Sequence, residues 1–253
     1  MNNVICITGM HRSGTSLTTS WLEFCGLKIH DGSYHGPSVG NSKGHFEDKE
    51  FVHIHSSAIK SEFPDSKGWL IFSQKKMIFS NEDLVNISRL VNQRNQKFSL
   101  WGWKDPRSVM FLNGWKRIIP ALKTLIIWRP CVEVVTSLLK RSKKAKADVF
   151  KINANESIKL WIAYNKRAYE YKKKFLDETL LLPLEVIIKN DQKVLSTINR
   201  TFQTSLDYKS ISSVFDNNLL KKKRADMIPK IISRTNGTRV LEREMMDLSD
   251  IKI

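Results

Sequence analysis

The sequence predicts an α/β fold in which a mostly parallel central sheet is flanked by helices on both faces. Short apolar runs alternate along the 253-residue chain with longer segments whose apolar residues recur at helical spacing. Strands separated by helices imply a parallel sheet that is covered on both sides. Nothing repeats, and no stretch rich in proline, glycine and serine divides the chain, so we expect one domain over residues 1–253.

The first predicted unit is a strand, a glycine-flanked loop and a helix. Residues 4–8 form an apolar run typical of a buried strand, and residues 15–25 have an apolar face at helical spacing that ends at Gly26. Residues 31–44 are rich in glycine, serine and histidine and predict a loop, and residues 46–61 again show helical spacing.

The rest of the chain continues this alternation. Ser80 or Asn81 is a suitable helix cap, and Pro130 is suited to a first helical turn. The further predicted strands are 100–104, 122–128 and 180–188, and the further predicted helices are 81–95, 109–118, 130–141, 155–175 and 191–202.

The composition favours a globular protein with anionic partners. The net charge is +17, with basic runs at 140–146 and 221–224, so nucleic acid, an anionic membrane surface, a nucleotide or an acidic glycan all fit, as do plain solvated faces. Cys6, Cys25 and Cys131 match no disulfide or metal spacing and predict buried free thiols in a reducing compartment. No apolar stretch approaches the roughly 20 residues of a membrane span, and no room precedes the first strand for a signal peptide, so we expect a cytoplasmic protein.

The loop GMHRSGTS, residues 9–16, is the first candidate site. Its place between a strand and a helix gathers several backbone N–H groups around one concavity at the positive end of the helix dipole, and Arg12 adds a permanent positive charge. Gly9 and Gly14 permit the turn. Thr15 stands where a nucleoside triphosphatase has its phosphate-binding lysine, so the loop favours a ligand without a β,γ-phosphate, or one whose charge is met by Arg12.

Two further polar clusters follow predicted strands. Arg129 ends one strand and Ser137 follows eight residues later, where the pair is suited to a second phosphate at the carboxyl edge of the sheet. The alternative for Arg129 is a surface charge. Lys104, Asp105 and Arg107 follow another strand, and their alternative is a structural turn in which Asp105 pairs with a neighbouring cation.

These motifs together resemble those of the sulfotransferases that use 3′-phosphoadenosine 5′-phosphosulfate (PAPS). RSGTS at 12–16 is similar to their 5′-phosphosulfate loop, Arg129 and Ser137 are similar to their 3′-phosphate pair, and KDP at 104–106 looks like the lysine motif of the tyrosylprotein branch. The similarity runs from the N-terminus to about residue 141 and is weaker to about residue 202. In the last fifty residues only RTNGTR, 234–239, is a poor counterpart of a nucleotide-contacting loop.

The resemblance implies a P-loop-like sulfotransferase fold, PAPS as co-substrate, its bisphosphate PAP as product, and no required metal. It implies that the loop residues and the strand-end pair bind the donor, namely His11, Arg12, Ser13, Gly14, Thr15, Ser16, Arg129 and Ser137. Lys104 and Arg12 are then expected to neutralise the charge that develops as the S–O bond breaks.

The catalytic base is expected to be Glu47, which stands in GHFEDKEF, a segment similar to the Gly-aromatic-Phe-Glu string of bacterial members. His45 is the alternative base, and Glu47 is otherwise a structural partner of a nearby Arg or Lys. Asp48 is expected to be a neighbour or a cap. The remaining histidines considered have weaker claims, and we expect them to be partly exposed polar residues: His35, His53 and His55.

Two other functions compete with this one. An ATP-dependent small-molecule kinase would share the fold class, but Thr15 and the Arg129 and Ser137 pair count against it. A basic nucleic-acid-binding module would use the basic runs, yet no aromatic residues are interleaved with them as a stacking motif.

The acceptor is expected to be a saccharide, a lipid-linked glycan or a small metabolite. Residues 31–44 and 58–76 are expected to shape its cleft, and Arg107 to line it. No nucleic acid is expected as a partner, contact with an anionic membrane stays open, and the sequence does not determine the oligomeric state.

Overall fold

The computed structural model describes residues 2–35, 46–214 and 236–252 and, within them, places one parallel sheet at the centre. The strands of the described chain are β1 (Asn3–Thr8), β2 (Tyr34–His35), β3 (Glu47–Asp48), β4 (Leu100–Lys104), β5 (Lys123–Trp128) and β6 (Thr179–Pro183). The central sheet has the order β4-β1-β5-β6 with every pair parallel, and β2 pairs with β3 in a separate antiparallel ribbon.

Helices connect these strands. The α-helices of the described chain are α1 (Thr15–Phe24), α2 (Lys49–Glu62), α3 (Asn81–Lys97), α4 (Leu112–Ile118), α5 (Cys131–Lys144), α6 (Ala154–Lys174), α7 (Leu184–Lys189), α8 (Asp191–Phe202) and α9 (Asn236–Asp247). A short 3₁₀ helix, Pro106–Met110, follows β4 directly.

Both faces of the sheet are buried, which confirms the predicted fold class. Successive side chains of a strand point to opposite faces. In β1, Val4 and Cys6 join a core built largely from α2 to α6, whereas Ile5 and Ile7 join a second core with α1, α7 and α8. The central strands therefore read as continuous apolar runs rather than as alternating ones.

Most predicted elements are confirmed, and two need correction. Residues 180–188 are not one strand, because β6 ends at Pro183 and residues 184–189 form α7. A short buried apolar run has no periodicity that distinguishes a strand from a helix, which explains the error. The helix predicted over 46–61 begins only at Lys49, since Glu47 and Asp48 pair with β2.

The C-terminal residues hold the outer edge of the sheet. The Asp250 carboxylate accepts from the backbone N–H of Leu181 in β6 at 2.7 Å, and the backbone N–H of Asp250 donates to the Leu181 carbonyl at 3.1 Å. Lys172 of α6 also donates to the Asp250 carboxylate at 2.7 Å. The groups that β6 presents at this point are therefore satisfied within the chain.

The three cysteines are free and buried, as predicted. None of the helices in the described part of the chain combines the length and the apolar character needed to cross a membrane.

Candidate active site

The loop between β1 and α1 is pressed against the neighbouring elements at both of its glycines. Gly9 has φ 141°, and a Cβ there would lie 2.0 Å from the carbonyl oxygen of Ile127 in β5. Gly14 has φ 93°, and a Cβ there would lie 2.4 Å from Leu184 at the start of α7. Glycine is therefore required at both ends of the loop, for the backbone conformation and for the close approach.

Arg12 reaches from this loop to the helix α5. Its backbone is left-handed, with φ 70°, a conformation that costs a non-glycine residue roughly 1–2 kcal/mol. Its Nε donates to Ser137 Oγ at 2.9 Å, and its carbonyl oxygen accepts from Arg129 Nη1 at 3.2 Å. Three of the predicted donor-binding residues thus meet at one place, although Arg129 and Ser137 are both joined to Arg12 rather than to each other.

Arg129 has a carboxylate partner that the sequence analysis missed. Glu133, one helical turn later, accepts from Arg129 Nη2 at 2.6 Å and from Nε at 3.0 Å. The i,i+4 spacing across the start of α5 is the signal that would have found this pair. The Arg129 side chain is 20% exposed, so it is neither a free surface charge nor deeply buried.

Lys104 and Glu47 form an ion pair beside the loop. Lys104 Nζ lies 2.7 Å from Glu47 Oε1 and donates to Ser16 Oγ at 3.1 Å, and Arg107 Nη2 donates to Glu47 Oε2 at 3.4 Å. The lysine side chain is 2% exposed and the glutamate side chain 12% exposed. Because β4 lies next to β1, with Lys104 in register with Ile7, the end of β4 lies beside the loop between β1 and α1.

The turn that follows Lys104 is fixed by a buried carboxylate. Asp105 accepts from Arg107 Nε at 2.8 Å and from Nδ1 of His55 at 2.9 Å. Burial alone would raise the pKa of Asp105, but the charge of Arg107 and the hydrogen bond from His55 hold it well below its ordinary value. Asp105 therefore does pair with a neighbouring cation, Arg107, as the alternative reading of this segment expected. Lys104 instead pairs with Glu47.

His55 is fully buried, so the expectation that it is a partly exposed polar residue is wrong. It lies on the inner face of α2, where its Nδ1 faces Asp105 and its Nε2 accepts from Trp115 Nε1 at 2.8 Å. A histidine can be buried on the inner face of a helix if its polar atoms find hydrogen-bond partners there. The partners of His55 come from distant parts of the chain, so helical spacing alone could not predict its burial. His53, two residues earlier, is exposed as expected.

Other candidates from the sequence lie outside this cluster. His45 lies outside the described residues, as does the side chain of His35. Asp48 is both neighbour and cap: it accepts from the backbone N–H of Glu50 at 2.9 Å at the start of α2 and pairs with Arg94 at 2.7 Å. Of RTNGTR, residues 234 and 235 lie outside the described part.

Three carboxylates come together around Arg94. Asp31, Asp48 and Glu50 are close enough to resemble a metal site, but each accepts a hydrogen bond from the Arg94 guanidinium. A buried arginine with three carboxylate partners fits a structural ion cluster that ties α3 to the start of α2.

Cations crowd one another around the loop. Burial and the nearby charge of Arg129 lower the pKa of Arg12, and burial together with the charge of Arg12 lowers the pKa of Arg141 to about 10. Arg141 stands four residues after Ser137 in α5 and was not predicted as a site residue, although the i,i+4 spacing places it on the same helix face. Positive charges that destabilise one another in this way favour an anionic ligand.

Buried polar atoms without partners point the same way. Among the described residues, only three buried side-chain polar atoms lack a hydrogen-bond partner, and two of them belong to the loop: His11 Nε2 and Ser13 Oγ. Burial, reinforced by the charge of Arg107, lowers the pKa of His11 well below its ordinary value, so its imidazole is neutral. Such unsatisfied groups, beside a cation cluster at a helix N-terminus, fit a phosphate or sulfate group.

Comparison with known proteins shows which class of proteins shares this fold. The chain matches no protein-family profile and no curated protein sequence. It superposes on solved sulfotransferases from Mycobacterium avium (TM-score 0.64, 11% identity, 100% of this chain and 78% of that one) and Alicyclobacillus acidocaldarius (0.60, 13%, 99% and 97%). It also superposes on one from Mycobacterium tuberculosis H37Rv (0.58, 13%, 91% and 76%). This chain therefore has the fold of the sulfotransferases, as the resemblance of its motifs implied.

Proposed function

We propose that the protein is a sulfotransferase that moves a sulfuryl group from PAPS directly to a hydroxyl or amine of an acceptor. The observation that carries the proposal is the pairing of Lys104 with Glu47 at 2.7 Å, beside the loop between β1 and α1, at the carboxyl ends of two adjacent parallel strands. Ligands of open α/β sheets bind at this edge, and the sulfotransferase fold supports the same assignment.

The donor would be held by the residues that the sequence singled out. The backbone N–H groups of residues 11–16, the hydroxyls of Thr15 and Ser16 and the guanidinium of Arg12 suit the phosphosulfate, and Arg129 with Ser137 suits the 3′-phosphate. The buried, unpartnered Ser13 Oγ supports this fit. When bound, PAPS supplies an activated sulfuryl group whose bond to the 5′-phosphate oxygen breaks as the bond to the acceptor oxygen or nitrogen forms.

In this proposal Glu47 accepts the proton that the acceptor hydroxyl or amine loses. Positioned proton transfer of this kind contributes roughly 10²–10⁴-fold to a rate. Lys104 and Arg12 meet the negative charge that develops on the phosphate oxygen, from fixed positions at the end of β4 and inside the loop. Arg107 donates to the second oxygen of Glu47 and so orients the carboxylate.

The proposal extends to the domain organisation, the compartment and the acceptor of the protein. We assign residues 1–253 to a single sulfotransferase domain, and we place the protein in a reducing compartment such as the cytoplasm, since its cysteines are free and buried. The acceptor is proposed to be a saccharide, a lipid-linked glycan or a small metabolite.

Binding calorimetry tests the donor site. We expect PAP to bind more tightly than ATP with Mg²⁺ or a generic oligonucleotide, which represent the kinase and nucleic-acid functions. Arg129→Ala should weaken PAP binding at least about tenfold, the loss of one charge-assisted contact, whereas Arg117→Ala, which removes an exposed arginine of α4, should leave it unchanged. Failure of the folded wild type to bind PAP would overturn the proposal.

Turnover tests the base separately. With an acceptor found by screening against labelled sulfuryl donor, Glu47→Gln should bind PAP normally and lose roughly 10²–10⁴-fold in kcat. Glu82→Gln is the matched control, since it removes an exposed carboxylate in the first turn of α3, away from the site. Near-normal turnover in Glu47→Gln would exclude Glu47 as the base without affecting the donor site.

A further inference from the structure

Residues 70–80, between α2 and α3, form a strand-like segment that has no neighbouring strand. All of them lie in the described part of the chain, and they run there without a helix, turn or bend. Burial alternates along the segment as it does along a strand with one buried face. The buried side chains are those of Ile71, Met77 and Phe79, and the exposed side chains of the opposite face are those of Phe72, Gln74, Lys76 and Ile78. The segment nevertheless belongs to neither of the sheets that the structure describes.

Only one edge of this segment is occupied. On that edge Arg167 of α6 donates from Nη2 to the carbonyl oxygens of Ser73 and Lys75, at 2.8 and 2.7 Å. In an extended chain the backbone groups of alternate residues point to the same edge, so those of residues 72, 74, 76 and 78 point to the other one. The backbone N–H and C=O groups of these four form no hydrogen bond with any residue that the structure describes. Such a row of unpaired groups is a template for another strand.

The exposed face of the segment is apolar at both ends and self-complementary in an antiparallel pairing. Phe72 is 40% exposed, and Ile78 is 78% exposed, the largest value among the large apolar side chains of the described residues. When two copies pair about a two-fold axis at Lys75, Phe72 lies opposite the partner's Ile78. Gln74 then lies opposite the partner's Lys76, and both pairs recur on the other side of the axis. An aromatic residue opposite a β-branched one is among the pairs that stabilise neighbouring strands.

Neighbouring registers are less favourable. A shift of two residues in one direction places Lys76 opposite the partner's Lys76, and like charges directly opposite each other are destabilising. A shift in the other direction places Phe72 opposite the partner's Lys76, so the apolar pair is lost. At the axis Lys75 meets the partner's Lys75, but the charge of Lys75 is offset by an ion pair with Glu62 of its own chain.

We propose that residues 72–78 pair with the same residues of a second copy as antiparallel strands, so that the protein forms a homodimer. The pairing satisfies the open backbone edge and covers the two exposed apolar side chains, Phe72 and Ile78. It is independent of the proposed sulfuryl transfer, since none of the paired residues belongs to the donor site or to the base. An interface centred on two short strands is small, so the dimer dissociates on dilution.

Analytical ultracentrifugation of the full chain over a roughly hundredfold range of concentration tests the proposal. The wild type should pass from monomer to dimer as the concentration rises. Phe72→Lys and Ile78→Glu should each weaken the dimer at least about tenfold, because each substitution disrupts two cross-strand pairs per dimer. Leu176→Glu is the matched control, because it changes a half-exposed apolar residue outside the segment and should dimerise like the wild type.

Two further measurements test the antiparallel register and the backbone edge. The double variant that combines Phe72→Lys with Ile78→Glu should recover dimerisation, because each lysine then lies opposite a glutamate of the partner. An equimolar mixture of the two single variants should also associate. Lys76→Pro should weaken the dimer at least about tenfold, because it removes an N–H from the open edge.

Three results would overturn the inference, and none of them bears on the proposed function. The first is a wild type that stays monomeric at every concentration. The second is dimerisation of Ile78→Glu or Lys76→Pro equal to that of Leu176→Glu. The third is a double variant that dissociates like the single ones. A monomeric wild type that binds vesicles of anionic lipid, with binding lost in Ile78→Glu and kept in Leu176→Glu, would assign the exposed face to a membrane instead.

Discussion

His55 joins α2 to the turn that carries Lys104 and Arg107, and replacing it by leucine tests how strongly that turn depends on it. The imidazole is fully buried and makes two contacts, to the Asp105 carboxylate at 2.9 Å and from the Trp115 indole N–H at 2.8 Å. His55→Leu keeps an apolar side chain of similar size on the inner face of α2. It removes both contacts.

The expected loss follows from what remains unpaired. A hydrogen bond to a charged group contributes about 1.5–3 kcal/mol, and a buried N–H left without an acceptor costs about 1–3 kcal/mol. Asp105 keeps its contact with Arg107, so its charge is not left uncompensated. We therefore expect His55→Leu to lower the free energy of unfolding by about 3–5 kcal/mol, a large part of the roughly 5–15 kcal/mol of an ordinary domain.

Urea unfolding at neutral pH measures this change, provided that the slope with denaturant stays that of the wild type. His53→Leu is the matched control: it is exposed on the same helix and should change the free energy by no more than about 0.5 kcal/mol. His55→Asn restores a donor for Asp105 but no acceptor for Trp115, so its loss should be intermediate. A loss in His55→Leu within about 1 kcal/mol of the control would refute this account of the turn.

Three further predictions concern the loop, the turn and the thiols. Gly9→Ala should destabilise the protein far more than Gly32→Ala in urea unfolding, because both positions have positive φ but only the first places a Cβ against the Ile127 carbonyl; equal losses would contradict the steric argument. The folded-state pKa of Asp105 is lowered below 3.8 by Arg107 despite burial, so its contribution is present above that pH and is lost as the pH falls further. The free energy of unfolding should therefore drop less steeply between about pH 4 and pH 2 in Asp105→Asn than in the wild type, and equal slopes would remove Asp105 as a cause. Burial raises the pKa of the thiols of Cys6, Cys25 and Cys131. A thiol reagent at about pH 8 should therefore label none of them in the native protein and all of them in urea, and rapid labelling of the native protein would contradict their burial.

Local patterns predicted the elements well wherever the signal lies within one segment. The strand, loop and helix at the N-terminus and the helix Asp191–Phe202 were predicted almost to the residue, because an apolar run, a glycine stop and helical spacing are all readable from neighbouring residues. The same reasoning failed at Leu184. There the chain changes from strand to helix inside one apolar run, and only packing against Gly14 and the second core favours the helix.

The partners of the charged residues were harder to predict. Arg129, just before α5, pairs with Glu133 in the first turn of that helix, and His55 is satisfied by Asp105 and Trp115 from distant parts of the chain. Arg141 entered the sequence analysis only as part of a basic run. Its position beside the site becomes visible once Ser137 is seen to accept from Arg12.

The sequence by itself determined the fold class, the strand–loop–helix unit that we propose as an anion site and the two polar clusters at strand ends, since each depends on residue types at short spacing. The tertiary structure alone decided which of these groups meet. Because β4 and β5 both pair with β1, Lys104 and Arg129 reach the same loop from opposite sides, and the ribbon of β2 and β3 brings Glu47 to Lys104. Hydrogen bonds act over about 3 Å, so the order of strands far apart in sequence, rather than any motif, determines which charges become partners.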